Sequence, residues 1–409
     1  MKEVWKLRKF DEITQSTLIG VVKNTKAQSP EFEFRYLKMN NIKNDNGLNE
    51  ESFAFVNATN DEVEKYSLKE NDFLFNTRNS YELVGKTCLY KSDYKNPTLF
   101  NNNILRVTFK DYIIPQFAAY VFSTASILED LEKMKSGTTS VVGIYYKSLK
   151  NLKIPIPPLS EQKQIVDILD QTFTAIDQAK ANIEKNIKNA KELFQSKLND
   201  IFSQKGNGWE EKSFKELSTR IGDGLHGTPN YDENGDYYFI NGNNLNDGLI
   251  EIKENTKRIN EKEFIKHKKE LTQNTVLISI NGTLGKVAFF NGEPVILGKS
   301  ACYINFKKEV NKHYIKYLVK SSLFFRNMAN ESTGATIKNF SLKSMRNYKL
   351  YLPSLNEQEL LVKNLMMFEK DIMRLENHYN KNIDNLEELK KSILQKAFAG
   401  KLTNKMVEV

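Results

Sequence analysis

The chain has 409 residues, 40% of them hydrophobic, and carries 60 Lys and Arg against 51 Asp and Glu for a formal net charge of +9. That length and apolar content call for several domains with cores of their own, and the cationic balance favours a polyanionic partner. No apolar run approaches the length needed to cross a bilayer, and Met1-Lys2-Glu3-Val4-Trp5 lacks the apolar core of a signal peptide, so a soluble cytoplasmic protein is expected. The two cysteines, Cys88 and Cys302, read as buried small hydrophobes rather than a disulfide or metal site.

Taken in order, the chain repeats itself. Trp5-Lys6-Leu7-Arg8-Lys9-Phe10 with Ile13 returns as Trp209-Glu210-Glu211-Lys212-Ser213-Phe214 with Leu217. Tyr36 to Ile42 and Phe239 to Leu245 are β-rich runs in which Asn40-Asn41 and Asn243-Asn244 coincide, and Asx pairs at strand ends predict turns. Leu68-x-x-Asn71-x-x-Leu74 returns as Leu271-x-x-Asn274-x-x-Leu277, leading to Gly85-Lys86 and Gly285-Lys286. Thr98 to Phe109 and Val295 to Phe306 read as strands, because Leu105, Val107 and Phe109, like Cys302, Ile304 and Phe306, alternate at period two. A helix is predicted next in each half, over roughly Pro115 to Lys135 and Lys312 to Ala329, with Pro115 suited to a first turn. Gly-Thr loops follow at Ser136 to Ser140 and Ser332 to Thr336, then extended stretches at Leu152 to Pro157 and Tyr348 to Pro353 that stop at proline.

Pro157-Pro158-Leu159-Ser160-Glu161-Gln162 and Pro353-Ser354-Leu355-Asn356-Glu357-Gln358 each open a long helix, ending near Phe202 and Phe398. Ser160 and Asn356 are expected as N-caps, with Glu161 and Glu357 in the first turn where the helix dipole favours acid. Apolar residues at steps of three, four or seven predict a heptad seam. It runs through Ile165, Leu169, Ile176, Ile183 and Leu193 in the first helix and Leu365, Ile372, Leu375, Leu386 and Leu389 in the second. A helix of ~44 residues is ~65 Å long at 1.5 Å per residue, more than one small globule covers, so each helix is expected to pair antiparallel with its copy. The expected fold is α+β, with two pseudo-symmetric α/β globules, 1–158 and 206–354, separated by two long antiparallel helices in 159–205 and 355–409 that form a coiled coil.

Catalytic motifs fail on spacing. Gly292 to Ser300 ends in Gly-Lys-Ser, but a phosphate-binding loop needs four residues between its glycines and here there are five. Asp223-Gly224-Leu225-His226 brings an acid near a histidine without nucleophile spacing and reads as a turn. No glycine-rich cofactor fingerprint and no Cys/His cluster occurs, so neither dinucleotide nor metal chemistry is expected. The loops instead hold side chains suited to nucleic acid. In the first half these are Lys38, Asn40 and Asn41; Arg78, Asn79 and Lys86; Asn102; and Lys135, Thr138 and Thr139. In the second they are Asn243 and Asn244; Asn281, Thr283 and Lys286; Lys299; and Thr333, Thr336 and Lys338. Asn can bridge adenine and Arg guanine in the major groove, while Lys, Ser and Thr suit phosphate.

With these features laid out, the whole chain resembles the DNA-specificity subunit of type I restriction-modification systems. The resemblance rests on the Trp-x4-Phe starts, the segment Ile221 to Pro229, the Gly-Lys turns, the Ser/Thr-Gly-x-Thr loops and the Pro-x-Leu-Ser/Asn-Glu-Gln helix openings, in the same order twice over. It implies that the globules are target-recognition domains and the helices spacers. It also implies a non-catalytic protein that recognises a bipartite target in double-stranded DNA, with no membrane partner and no cofactor of its own. Two methylation subunits carrying S-adenosylmethionine chemistry would bind its helices, and motor-nuclease subunits would join for restriction. The first half lacks the Asp-Gly-x-His-Gly-Thr-Pro segment, so the halves are expected to read different half-sites, with the helix pair as a ruler between them. The alternative is a coiled-coil scaffold whose globules bind protein rather than DNA. A self-contained methyltransferase would need an Asn/Asp-Pro-Pro-aromatic site, and the only Pro-Pro is followed by Leu159.

Overall fold

The computed structural model describes residues 5–43, 46–92, 94–138, 141–330 and 339–402. It divides into two compact units, residues 1–181 with 382–409 and residues 182–381, so the division falls inside both long helices. Each unit is therefore a globule together with part of each helix.

In the first unit, a four-stranded antiparallel sheet takes the order Thr14–Ile19, Ile104–Phe109, Phe73–Asn76, Thr87–Leu89. Strand alternation gives it two apolar faces. Phe73, Phe75, Leu105 and Val107 pack with Phe117, Val121 and Phe122 of an adjacent helix, while Leu74, Cys88 and Ile104 pack with Leu37 and Phe100 of a second sheet. That second sheet orders Ala54–Val56, Phe34–Leu37, Thr98–Phe100, the last two parallel. Lys6–Lys9 pairs with Lys153–Ile156, tying the start of the chain to the stretch that feeds the first long helix.

The second unit repeats this plan. Its four-stranded sheet runs Ser218–Gly222, Ala301–Phe306, Thr275–Ser279, Val287–Phe289; its three-stranded sheet runs Arg258–Ile259, Tyr237–Ile240, Val295–Leu297. Glu210–Ser213 pairs with Lys349–Leu352.

Several elements depart from the sequence reading. The runs from Tyr36 and Phe239 stop after a few strand residues and turn through 3-10 helices, Met39–Asn41 and Gly242–Asn244. The predicted mid-length helices are each two, Pro115–Phe122 with Ala125–Met134 and Lys312–Lys320 with Ser322–Asn330. Hydroxyls cause the break: Thr124 Oγ1 donates to the Val121 carbonyl at 2.7 Å and Ser321 Oγ to the Leu318 carbonyl at 2.6 Å, competing with helical bonds.

The long helices span Leu159–Ser203 and Leu355–Phe398. Neither Ser160 nor Asn356 is the cap. Ser354 caps the second helix, its Oγ accepting from the Glu357 amide at 3.4 Å while the Glu357 carboxylate accepts from the Ser354 amide at 3.0 Å. Pro158 stands at that place in the first helix, and Glu161 accepts from Trp5 Nε1 at 3.1 Å. The glutamines that follow are fully buried clamps. Gln162 Oε1 accepts from the Ile114 amide, and its Nε2 donates to the Tyr112 and Pro157 carbonyls; Gln358 does the same with Asn311, Glu309 and Pro353. Each ties the start of a long helix to the start of the first mid-length helix of its half, Pro115–Phe122 or Lys312–Lys320.

Within each unit the long helices run antiparallel. Lys390 reaches Asp177 at 3.0 Å and Lys180 meets Glu387 in the first, and Lys191 reaches Glu376 at 3.6 Å in the second. Ile165, Leu169, Ile176 and Leu365 are buried, and Ile183, Ile372 and Leu386 half-buried. Leu193, Leu375 and Leu389 are 57%, 38% and 46% exposed and do not belong to the seam. Phe194, Glu376 and Lys390 take the inward positions, and the leucine one residue earlier is turned about 100° away.

Candidate nucleic-acid interface

In the first unit Arg78–Asn79, Val142–Gly143 and Ser136–Gly137 form a small ribbon, with Arg78 opposite Gly143 and Gly143 opposite Ser136. Ile144 continues it inward, its amide donating to the Thr77 carbonyl at 2.9 Å. Outward, the Arg78 guanidinium lies 5.9 Å from the Tyr145 ring centroid and donates to its hydroxyl at 3.4 Å. The pair borders an open groove of about 380 Å³ that Thr17, Ile19, Asn102, Asn103 and Tyr146 also line. Arg78 and Asn102 are thus brought together. Thr138 is exposed at the ribbon turn, whereas Thr139 lies outside the described residues. Tyr145 was missed because it is 67 positions from Arg78, and no spacing rule links them.

Other candidates serve the fold. Asn41 is fully buried, accepting from the Lys38 amide at 2.8 Å and donating to the Asn49 carbonyl at 2.9 Å. Asn244 repeats this with the Asn241 amide, the Glu251 carbonyl and Thr256. Both hold 3-10 turns and are withdrawn from the candidate contacts. Lys135 is engaged with the Tyr81 carbonyl at 2.7 Å and Glu132 at 2.7 Å, which closes the end of its helix. Asn79 accepts from the Ser80 amide at 2.9 Å, and Lys38 donates to Gln28 at 3.3 Å. Asn40 is exposed, and burial holds the half-buried Lys86 ammonium below the usual lysine range.

In the second unit Asn281 bridges Asn339 where the first has its ribbon, and the Phe340 amide donates to the Ile280 carbonyl at 2.8 Å, as Ile144 does to Thr77. Asn281 Nδ2 donates to the Lys299 carbonyl at 3.5 Å, so Asn281 and the exposed Lys299 are brought together. Thr283 and Asn243 are exposed and Lys286 is half-buried, while Thr333, Thr336 and Lys338 lie outside the described residues. Among the described residues no group of three or more His, Cys, Asp or Glu could hold a metal ion, and no helix is long and apolar enough to cross a membrane. Burial pushes both cysteine thiols up to about 12.

The family described as type I restriction modification DNA specificity domain matches residues 2–189 and again 206–385. The putative type I restriction enzyme MjaX specificity subunit of Methanocaldococcus jannaschii is 26% identical over 363 residues, covering 84% of this chain and 81% of that protein. The type I restriction enzyme EcoBI specificity subunit of Escherichia coli is 23% identical over 301 residues, covering 67% of this chain and 64% of that protein. Among solved structures, a chain from work on complex assembly and conformational transition of the type I R-M system has a TM-score of 0.73 at 19% identity, with 98% of this chain and 99% of that one covered. The HsdS subunit from Thermoanaerobacter tengcongensis has a TM-score of 0.59 at 18% identity, with 98% of each chain covered. One family matched once in each half, on a framework built twice with different exposed side chains, places this chain in the type I restriction-modification DNA specificity family, as a non-catalytic subunit that recognises a bipartite DNA target.

Proposed function

We propose that each unit reads one half-site of that target and that the two half-sites differ. The observation that carries this is a repeated backbone with unlike side chains at matching places. Arg78 follows Thr77, and Asn281 follows Ile280, at the same point of the same hydrogen-bonding pattern. Arg pairs bidentately with guanine and Asn with adenine in the major groove, and phosphate contacts from Lys and Thr supply most of the affinity. The chain brings no chemistry of its own to the target. Two methylation subunits would carry S-adenosylmethionine, motor-nuclease subunits would join them for restriction, and the assembly would work in the cytoplasm.

The test is a complex reconstituted with methylation subunits, with methylated positions sequenced for wild type, Arg78→Ala and Asn281→Ala. Each variant is expected to relax one half-site and leave the other intact, and the logarithm of the binding constant should fall linearly with the logarithm of salt concentration. Binding that ignores salt, or both half-sites changing with either variant, refutes the reading.

A further inference from the structure

The two units share a second framework feature next to these residues. A short segment leaves the edge strand and pins itself by a parallel bridge, Val21 to Asn101 in the first unit and Leu225 to Gly298 in the second. The amides of Val21 and Leu225 donate to the carbonyls of Phe100 and Leu297 at 2.9 and 2.6 Å. Only glycine fits just before the bridge: a Cβ on Gly20 would lie 2.1 Å from the Phe100 oxygen, and one on Gly224 1.9 Å from the Leu297 oxygen. The backbone at this point is thus fixed in both units, and because each bridge is a single one after which Asn101 and Gly298 lead into turns, the next residue of each segment departs from the same anchored point.

Those next residues are Val22 with Asn102, and His226 with Lys299. Val22 is 69% exposed, an apolar side chain held in water by a locked backbone, and Asn102 lines the groove beside Arg78. The His226 side chain is 71% exposed, and its Nε2 lies 2.7 Å from the Asp223 carboxylate. An ionised carboxylate can only accept, so Nε2 donates to it and leaves the Nδ1 edge for a second partner. Lys299 is exposed, with its carbonyl held by Asn281.

We propose that the residue pair following this bridge is a reading position of each unit. Lys299 donates to acceptor atoms of one half-site with the Nδ1 edge of His226 as a second polar contact, and Val22 and Asn102 meet the other half-site with a methyl surface and an amide. This rests on the half-site reading above. Acceptor atoms on DNA belong either to phosphates or to base edges such as guanine N7 and O6. Valine can touch a thymine methyl group, a contact that the histidine cannot reproduce.

The experiment compares wild type, the double variant His226→Val with Lys299→Asn, and the double variant Val22→His with Asn102→Lys, each in the complex with methylation subunits. The readouts are methylated sequence, affinity against salt, and thermal melting. Changed bases confined to the second half-site for the first variant, and to the first half-site for the other, support base reading. Unchanged bases with affinity down about tenfold and a shallower salt slope for the first variant support the pair through phosphate contact. Unchanged sequence and affinity, with melting intact, overturn the proposal. Should a double variant melt early, His226→Gln and Lys299→Gln, polar changes at exposed positions, are judged by the same criteria. A wild-type complex that methylates no bipartite sequence overturns the half-site reading itself, whereas a normal wild type with silent variants overturns only the proposed pair.

Discussion

Replacing Gln358 by Ala should destabilise the second unit far more than the loss of one side chain suggests. The glutamine is fully buried, accepting from the Asn311 amide at 2.8 Å and donating to the Glu309 and Pro353 carbonyls at 3.0 and 2.9 Å. Alanine orphans all three backbone groups at once. At roughly 1–3 kcal/mol for each unsatisfied buried group, with the carbonyls at the low end, the cost is about 3–5 kcal/mol. An unfolding entropy of ~2.1 cal/mol/K per residue over about 200 residues converts this to a fall in Tm of about 7–12 °C. Scanning calorimetry measures the shift, and hydrogen exchange at the Asn311 amide localises it. Gln358→Glu is the sharper control: it keeps the acceptor for Asn311 but sets a carboxylate against two carbonyl oxygens, so it should cost at least as much near pH 7. A loss below about 1 kcal/mol for the alanine, or a neutral Gln358→Glu, refutes the reasoning.

Thiol reagents at pH 8 should leave Cys88 and Cys302 unmodified in the native protein and label both in denaturant, since both are buried with their thiols pushed up to about 12; rapid native labelling would contradict this. Glu357 is held below the usual range by the Ser354 hydroxyl and amide, and Glu62 by Lys23 and the Thr59 amide. Groups depressed in the folded state stabilise it above their unfolded pKa, so Tm should be flat from pH 7 to about 5 and fall as acid protonates them; a Tm that rises on acidification would refute this sign. Four residues inserted into both long helices, after Ala181 and after Lys381, should add ~6 Å to each and change the unspecified DNA spacer by one or two base pairs, with both half-sites kept. Methylome sequencing that returns the original spacer would refute the ruler. The insertion belongs there rather than after Phe202, because Leu198, Ile201 and Phe202 are already core residues of the second unit.

The duplication and its order were legible because they lie in local patterns: period-two strands, Pro-x-Leu-Ser/Asn-Glu-Gln, and Trp-x4-Phe. The work those motifs do was not, because each partner is distant in sequence. Gln162 meets Ile114, Trp5 meets Glu161, and Arg78 meets Tyr145. The Asn-Asn pairs misled as DNA contacts because one amide group suits an adenine edge and a backbone turn equally, and only burial separates Asn41 from Asn40. The seam misled at Leu193, Leu375 and Leu389 because apolar spacing alone cannot reveal that Glu376 and Lys390 face inward and pair with opposite charges.

The first unit is completed by the far end of the chain. Ala397 belongs to its core, Ile393, Leu394 and Phe398 pack against that core, and Phe398 meets the rings of Trp5 and Phe117 at 6.4 and 5.5 Å. The second unit is one contiguous stretch, 182–381. During synthesis, which proceeds at roughly 5–20 residues per second, the usual N-terminal-first order of domain folding is therefore inverted. The second unit has all of its residues before the last part of the first is made, whereas the first, though begun earlier, keeps an apolar face around Trp5 and Phe117 uncovered until the helical turns around Ala397 emerge. A message cut short after Lys381 would yield one finished reader and one permanently open one, so a broken transcript produces a sticky, incomplete chain rather than a working half-specificity.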